Sequence, residues 1–203
     1  MRPNQSRTLP QITGKPGSLW ANVGIFDQIY FEGLFYSPTA KLVIAHFSNE
    51  RRIYSLFARE LGKKNYHRLT PKKSNLSYWS PVLVPTRPLL YVNVMRQENI
   101  GGREHPVKFG FKWDYLAAID LKSGKLRPVI TKRDLHRMTP CAAKQHRITD
   151  LFGCSANGRH LYCVIGLTGN NLASPNSTEF SVYDLDVTRK SLRKLSILNN
   201  PFT

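Results

Sequence analysis

Acidic side chains are scarce in this chain. Against 30 Lys and Arg stand 13 Asp and Glu among 203 residues, a formal net charge of +17 at neutral pH. Such an excess draws nucleic acid, an acidic protein surface or an anionic polysaccharide, less strongly as salt rises. It also keeps sheet edges soluble and apart. Cysteine is rarer still. Cys141, Cys154 and Cys163 are odd in number and form no CxxC pair, which argues against a disulfide framework or an ordinary zinc cluster. Free thiols, mostly buried, are expected instead. No apolar run approaches the ~20 residues that span a bilayer, and the opening MRPNQSRTLPQITGKPG lacks the apolar middle of a secretory signal. These absences predict a soluble, cytoplasmic protein with no membrane partner.

Catalytic signatures are missing as well. The chain holds no GxSxG elbow, no HExxH, no GxxxxGK[ST] phosphate loop and no GxGxxG turn. The six histidines are scattered, and only His136 and His146 gather near Cys141, at five-residue spacings with Pro140 between them. That spacing does not put His136, Cys141 and His146 on one helix face, so they form a weak candidate metal set and no metal is predicted. No catalytic residue and no cofactor is predicted. Glu179, Asp184 and Asp186 are expected to satisfy turn amides.

What the chain does have is a recurrence. SPTAKLVIAHF from Ser37, VPTRPLLYVNV from Val84 and SANGRHLYCVIG from Ser155 each set a turn of Ser, Pro, Asn or Gly before an apolar strand. Each is followed by a second apolar strand, another turn and a short basic strand. A unit that cannot bury its own faces must stack on its neighbours. LVIAHF is almost continuously apolar, which predicts a sheet covered on both faces. YHRLT alternates and carries charge, and Pro128 interrupts LRPVIT, so both are expected at outer edges. The units span residues 30–70, 80–131 and 148–198. Residues 96–110 read as a loop, and 132–147 as a partly helical insertion broken at Pro140. Residues 1–29 form an N-terminal arm or a partial strand.

With SPTAK, PTRP and SANGR before the second strand, and Asp120 in AIDLKSGKL and Asp184 in VYDLDVTRK closing the third, residues 30–198 resemble the blades of TolB-like and WD40-like β-propellers. The resemblance implies an all-β fold of about three antiparallel four-stranded propeller-type blades with a short, partly helical insertion. Residues 30–203 would then form one incomplete propeller-like domain. Two departures stand out. Trp113-Asp114 opens a strand where the WD40 signature ends one, and three blades are fewer than the roughly four to eight that close a ring. An open arc leaves apolar end surfaces, so a second copy, another chain or the N-terminal segment is expected to complete it, giving an oligomer in the first two cases.

The function expected on these grounds is non-catalytic: a binding or assembly module recognising an acidic protein or a nucleic acid such as RNA. The alternative implied by the resemblance is a fragment or degenerate form of a propeller-containing hydrolase or lyase. Up-and-down strand order places the long segments 96–112, 131–147 and 168–178 on one side and the tight turns on the other. Basic charge is shared almost equally between the two sides, so length selects the loop side. The expected anion contacts are Arg96, Arg103, Lys108, Lys132, Arg133, Arg137, Lys144 and Arg147. Tyr78 and Trp79, soon after Lys72 and Lys73, offer rings that stack on bases or sugars; the competing reading makes them blade core.

Overall fold

The computed structural model describes residues 29–49, 53–72, 75–99, 109–139, 145–168 and 179–198. Among them twelve strands form three sheets, each a four-stranded antiparallel meander in sequence order. The first contains β1 (Ile29–Ser37), β2 (Leu42–Asn49), β3 (Tyr54–Glu60) and β4 (His67–Arg68). The second contains β5 (Leu76–Leu83), β6 (Leu89–Asn99), β7 (Phe109–Asp120) and β8 (Leu126–Thr131). The third contains β9 (Gln145–Cys154), β10 (His160–Thr168), β11 (Glu179–Asp186) and β12 (Ser191–Leu198). The chain is therefore all-β with blade-like sheets, and the three repeats mark the three sheets. Among the described residues no helix is long and apolar enough to cross a membrane.

The second sheet lies in the middle, and its strands show why. Leu90, Val92 and Val94 of β6 with Ala117 and Ile119 of β7 pack against Leu42, Ile44, Leu56 and Ala58 of the first sheet. The alternate residues Leu89, Tyr91, Met95, Leu116 and Ala118 pack against Ile148, Leu151, Leu161, Cys163 and Ile165 of the third. Side chains of a strand alternate between faces, so a strand covered on both faces must be apolar throughout. The one polar side chain within the β6 run, Asn93, is fully buried and bonded across the seam to the Ile148 carbonyl at 3.3 Å. All eight residues of β2 are buried too, with Ala45 and Phe47 meeting Phe57 on the face away from the second sheet. β1 differs. Its Tyr30, Phe31, Leu34 and Tyr36 are exposed.

Several boundaries depart from the sequence expectation. The segment read as a loop from Arg96 stays in the ladder as far as the Asn99–Phe109 pair, because its charges are satisfied across the strands. Arg96 meets Asp114 at 2.6 Å and Lys112 meets Glu98 at 3.9 Å. β9 likewise begins early, at Gln145, and Arg147 pairs with Gly166 inside the sheet. β5 tolerates Pro81 through a bulge between Trp79 and Val82, where Ser80 takes φ +49°.

The insertion supplies one short helix, α1 (Lys132–Met138). It starts with a capping box. Thr131 Oγ1 accepts from the Asp134 amide at 3.2 Å, and Asp134 Oδ2 accepts from the Thr131 amide at 3.0 Å. Thr139, just before Pro140, leaves the helical region at φ −122°, ψ 87°, as a residue preceding proline tends to do. Cys154 and Cys163 are free thiols. Burial pushes the Cys163 thiol up to about 12, whereas Cys154 is half-buried. Cys141 lies outside the described residues.

Candidate binding surfaces

Of the expected anion contacts, Arg103, Lys108 and Lys144 lie outside the described residues. Three others already hold carboxylates of the chain itself. Asp114 receives Arg96 at 2.6 Å and Lys132 at 3.1 Å. Burial alone would raise the Asp114 carboxyl, but Lys132 and Arg96 outweigh it and hold the group below its ordinary value. Arg137 meets Asp134 at 2.6 Å. Arg133 is exposed on α1. Arg147 is half-buried in β9, so it is a strand residue and not the loop residue expected.

The two aromatic candidates belong to the interior. Tyr78 is fully buried between the first and second sheets, and burial raises its hydroxyl well above the ordinary range. Trp79 is half-buried, with Tyr54 at 4.6 Å on one side and Phe111 at 5.3 Å on the other. Its Nε1 donates to Ser77 Oγ at 2.7 Å. Neither ring is a free stacking platform, because both are used to join sheets. Of the weak metal set, His136 lies on α1 and His146 on β9, while Cys141 lies outside the described residues; among the described residues no three His, Cys, Asp or Glu gather to hold an ion.

Aspartates at strand ends fix the turns. Asp120, which closes β7, accepts from the amides of Ser123 at 2.9 Å and Lys122 at 3.0 Å. In the third sheet this work falls to Asp186, which accepts from the Thr188 and Arg189 amides at 3.0 and 2.9 Å. Asp184 instead binds His160 at 2.8 Å and Arg193 at 2.9 Å. This corrects the expectation drawn from VYDLDVTRK. Asp120 pairs with the first residue of β6 and Asp186 with the first of β10, so Asp186 is the equivalent position and Asp184 sits one pleat too early to reach the turn.

A basic concavity lies where the second and third sheets meet on the turn side. Residues 84–88 and 155–159, the turns that open β6 and β10, are tied together: Thr86 Oγ1 donates to the Ala156 carbonyl at 2.7 Å and the Tyr91 hydroxyl to the Gly158 carbonyl at 2.9 Å. Beside this seam is a cleft of about 550 Å³ whose walls include Arg87, Arg127, Arg159 and Lys190. Arg159 is paired with Asp186 at 2.8 Å and Lys190 with Asp134 at 2.9 Å. Arg87 and Arg127 form no ion pair with a described residue. Lys190 also lines a neighbouring hollow of about 440 Å³ that adds Arg137 and Arg189. The insertion and the 187–190 turn therefore meet at one rim, and the division of the basic residues into two opposed sides does not hold there.

Sequence reasoning passed over Arg87, Arg127, Arg159 and Lys190. A signal existed: PTRP and SANGR both carry an arginine at the turn before the second strand of adjacent units, and equivalent turns of adjacent blades lie side by side.

Asp134 is also an acid-sensitive point. The Thr131 amide, then Lys190 and Arg137, hold its carboxyl far below the ordinary range. Stability from a depressed carboxyl is fully present above the unfolded value of about 3.9 and is lost as pH falls below it toward the folded value. The Asp134→Asn variant should melt lower at neutral pH and show a flatter loss of Tm below about pH 4. Circular-dichroism melts of both proteins from pH 7 downward test this, and parallel curves would count against it.

Three four-stranded antiparallel sheets, stacked through two apolar seams with a basic cleft at the second, define the class: an all-β protein of blade-like sheets. No protein-family model matches the chain, and no curated protein matches it in sequence.

Proposed function

We propose that this chain is a non-catalytic recognition module of propeller-blade type whose partner is acidic. The observation that carries the reading is the convergence of Arg87, Arg127 and Arg189 on adjoining hollows joined by Lys190. None of the three arginines pairs with a carboxylate of a described residue, so their charge is available to a partner. The aspartates nearby are otherwise engaged. Asp134 caps a helix and Asp186 closes a turn, and both are held ionised by their donors. An acid held that far below neutrality is a poor proton shuttle, which suits binding better than general acid chemistry.

The test uses single-stranded RNA of random sequence and poly-glutamate as probes. The triple variant Arg87→Ala, Arg127→Ala, Arg189→Ala should bind at least tenfold more weakly than the parent to whichever probe the parent retains. For RNA, the slope of log affinity against log salt should fall by roughly 0.7 for each phosphate that the variant no longer neutralises. Lys122→Ala with Lys125→Ala, in the turn after β7, serves as control and should change little. Equal losses from both sets, or a parent that binds neither probe, would reject the reading. Pulldown from native lysate with and without nuclease then separates nucleic acid from protein as the partner.

A further inference from the structure

We infer that the cleft between the second and third sheets is a subsite for the dianion of a phosphate monoester carried on a compact organic group. The inference deepens the recognition reading, on which it rests for treating this cleft as a binding surface. Charge is the first argument. Among the four basic side chains of the wall, Arg159 is balanced by Asp186, and Lys190 shares Asp134 with Arg137. That leaves at least two positive charges facing the cleft, the guanidiniums of Arg87 and Arg127. A phosphate monoester carries about −1.5 to −2 at neutral pH, whereas a carboxylate or a phosphodiester carries a single charge. Guanidinium forks also match the oxygens of phosphate in pairs of parallel hydrogen bonds.

Geometry is the second argument. Arg87, Tyr91 and Arg127 line the same cleft, so the two guanidiniums face one region. Asn157 Oδ1 is taken by the Arg159 amide at 3.0 Å and the Ser155 hydroxyl at 2.9 Å. Its side-chain NH2 is thereby left as a neutral donor on the same wall. The walls are set in advance of any ligand: Asp186 fixes the 187–190 turn and aligns Arg159, and Thr86 fastens the two opening turns. A site already in place loses less entropy when it binds.

Size and polarity supply the organic group. The cleft, at about 550 Å³, falls within the roughly 300–1,000 Å³ of small-molecule sites and far exceeds a bare phosphate. Leu89, Pro128 and Val187 line it beside the arginines, giving an apolar surface for the body of the ligand.

Phenyl phosphate is the probe, with benzoate and inorganic phosphate for comparison, titrated into the full chain labelled with 15N. Phenyl phosphate should shift the amides of Asn157, Arg159 and Thr188 and saturate. Benzoate, with one charge, should bind at least tenfold more weakly, and inorganic phosphate more weakly than the ester. The Arg87→Ala, Arg127→Ala variant should lose at least thirtyfold in affinity for phenyl phosphate, while Lys122→Ala with Lys125→Ala should leave it unchanged. Should the alanine variant melt early, Arg87→Lys with Arg127→Lys keeps the charge and removes the forks, and a loss of threefold or more is expected. Benzoate binding as tightly as phenyl phosphate, or either arginine variant binding like the parent, overturns the inference. Loss of phenyl phosphate binding by the parent while RNA or poly-glutamate still binds overturns the subsite alone. Phenyl phosphate binding at the cleft with no polyanion bound overturns the broader reading and supports the subsite.

Discussion

Replacing Asn93, which is fully buried, by alanine should lower the unfolding free energy by about 3 kcal/mol. Asn93 sits in β6 on the face that meets the third sheet. Its carbonyl oxygen accepts from Trp113 Nε1 at 3.2 Å and its NH2 donates to the Ile148 carbonyl at 3.3 Å. Truncation leaves the indole N–H without an acceptor in an apolar seam, a loss of about 1–3 kcal/mol, and opens a void the size of a carboxamide. The two effects separate in a double-mutant cycle. In a Trp113→Phe background there is no N–H to strand, so Asn93→Ala should cost about 1 kcal/mol less there than in the parent. Urea unfolding of the four proteins measures both quantities. A single variant within about 0.5 kcal/mol of the parent, or no coupling between the two sites, would show that the polar link across the seam is not what holds the sheets in register.

Seams of this kind explain which parts of the molecule were legible in the sequence. LVIAHF reads as a strand covered on both faces because it is almost continuously apolar, and it opens β2, all eight of whose residues are buried. The blade order followed from the repeated turns, since SPTAK, PTRP and SANGR each lead into the second strand of a sheet. Strand ends were harder. Arg96 and Arg147 resemble loop residues by polarity alone, and only a partner on the neighbouring strand, Asp114 for Arg96, shows that charge is at home in the ladder. Tyr78 and Trp79 follow two lysines closely enough to look like a binding platform. Yet period-two alternation from the buried Leu76 points Tyr78 inward as well.

The cleft was least legible of all. Its turns are 70 residues apart in the chain, as the Thr86–Ala156 bond shows. No local pattern brings Arg87 beside Arg159. The arc does so, by setting equivalent turns of successive sheets next to each other, and a charge tally by sides of the sheet averages that proximity away.

Gly158, at the floor of the same seam, separates two reasons for a glycine. It adopts φ +71°, and a Cβ built there would stand 2.6 Å from one methyl of Val84 and 2.9 Å from the other. Gly124 adopts nearly the same φ, +68°, with nothing within 4 Å of its would-be Cβ. Alanine at 124 should therefore cost only the left-handed backbone penalty, about 1 kcal/mol. Alanine at 158 adds overpacking of about 1–3 kcal/mol, for a total of about 3 kcal/mol. Val84 is buried in the seam core, so Val84→Ala alone is destabilising. Combined with Gly158→Ala it makes room for the new methyl, and the pair should cost at least 1 kcal/mol less than the sum of the singles. Equal losses at the two glycines, or strict additivity with Val84, would mean that the blades can part at this point without strain. They should not part. Val84 and Gly158 close the gap through which the Thr86 and Tyr91 hydrogen bonds reach the neighbouring turn, and a methyl wedged there would displace the walls that hold Arg87 and Arg159 around the cleft.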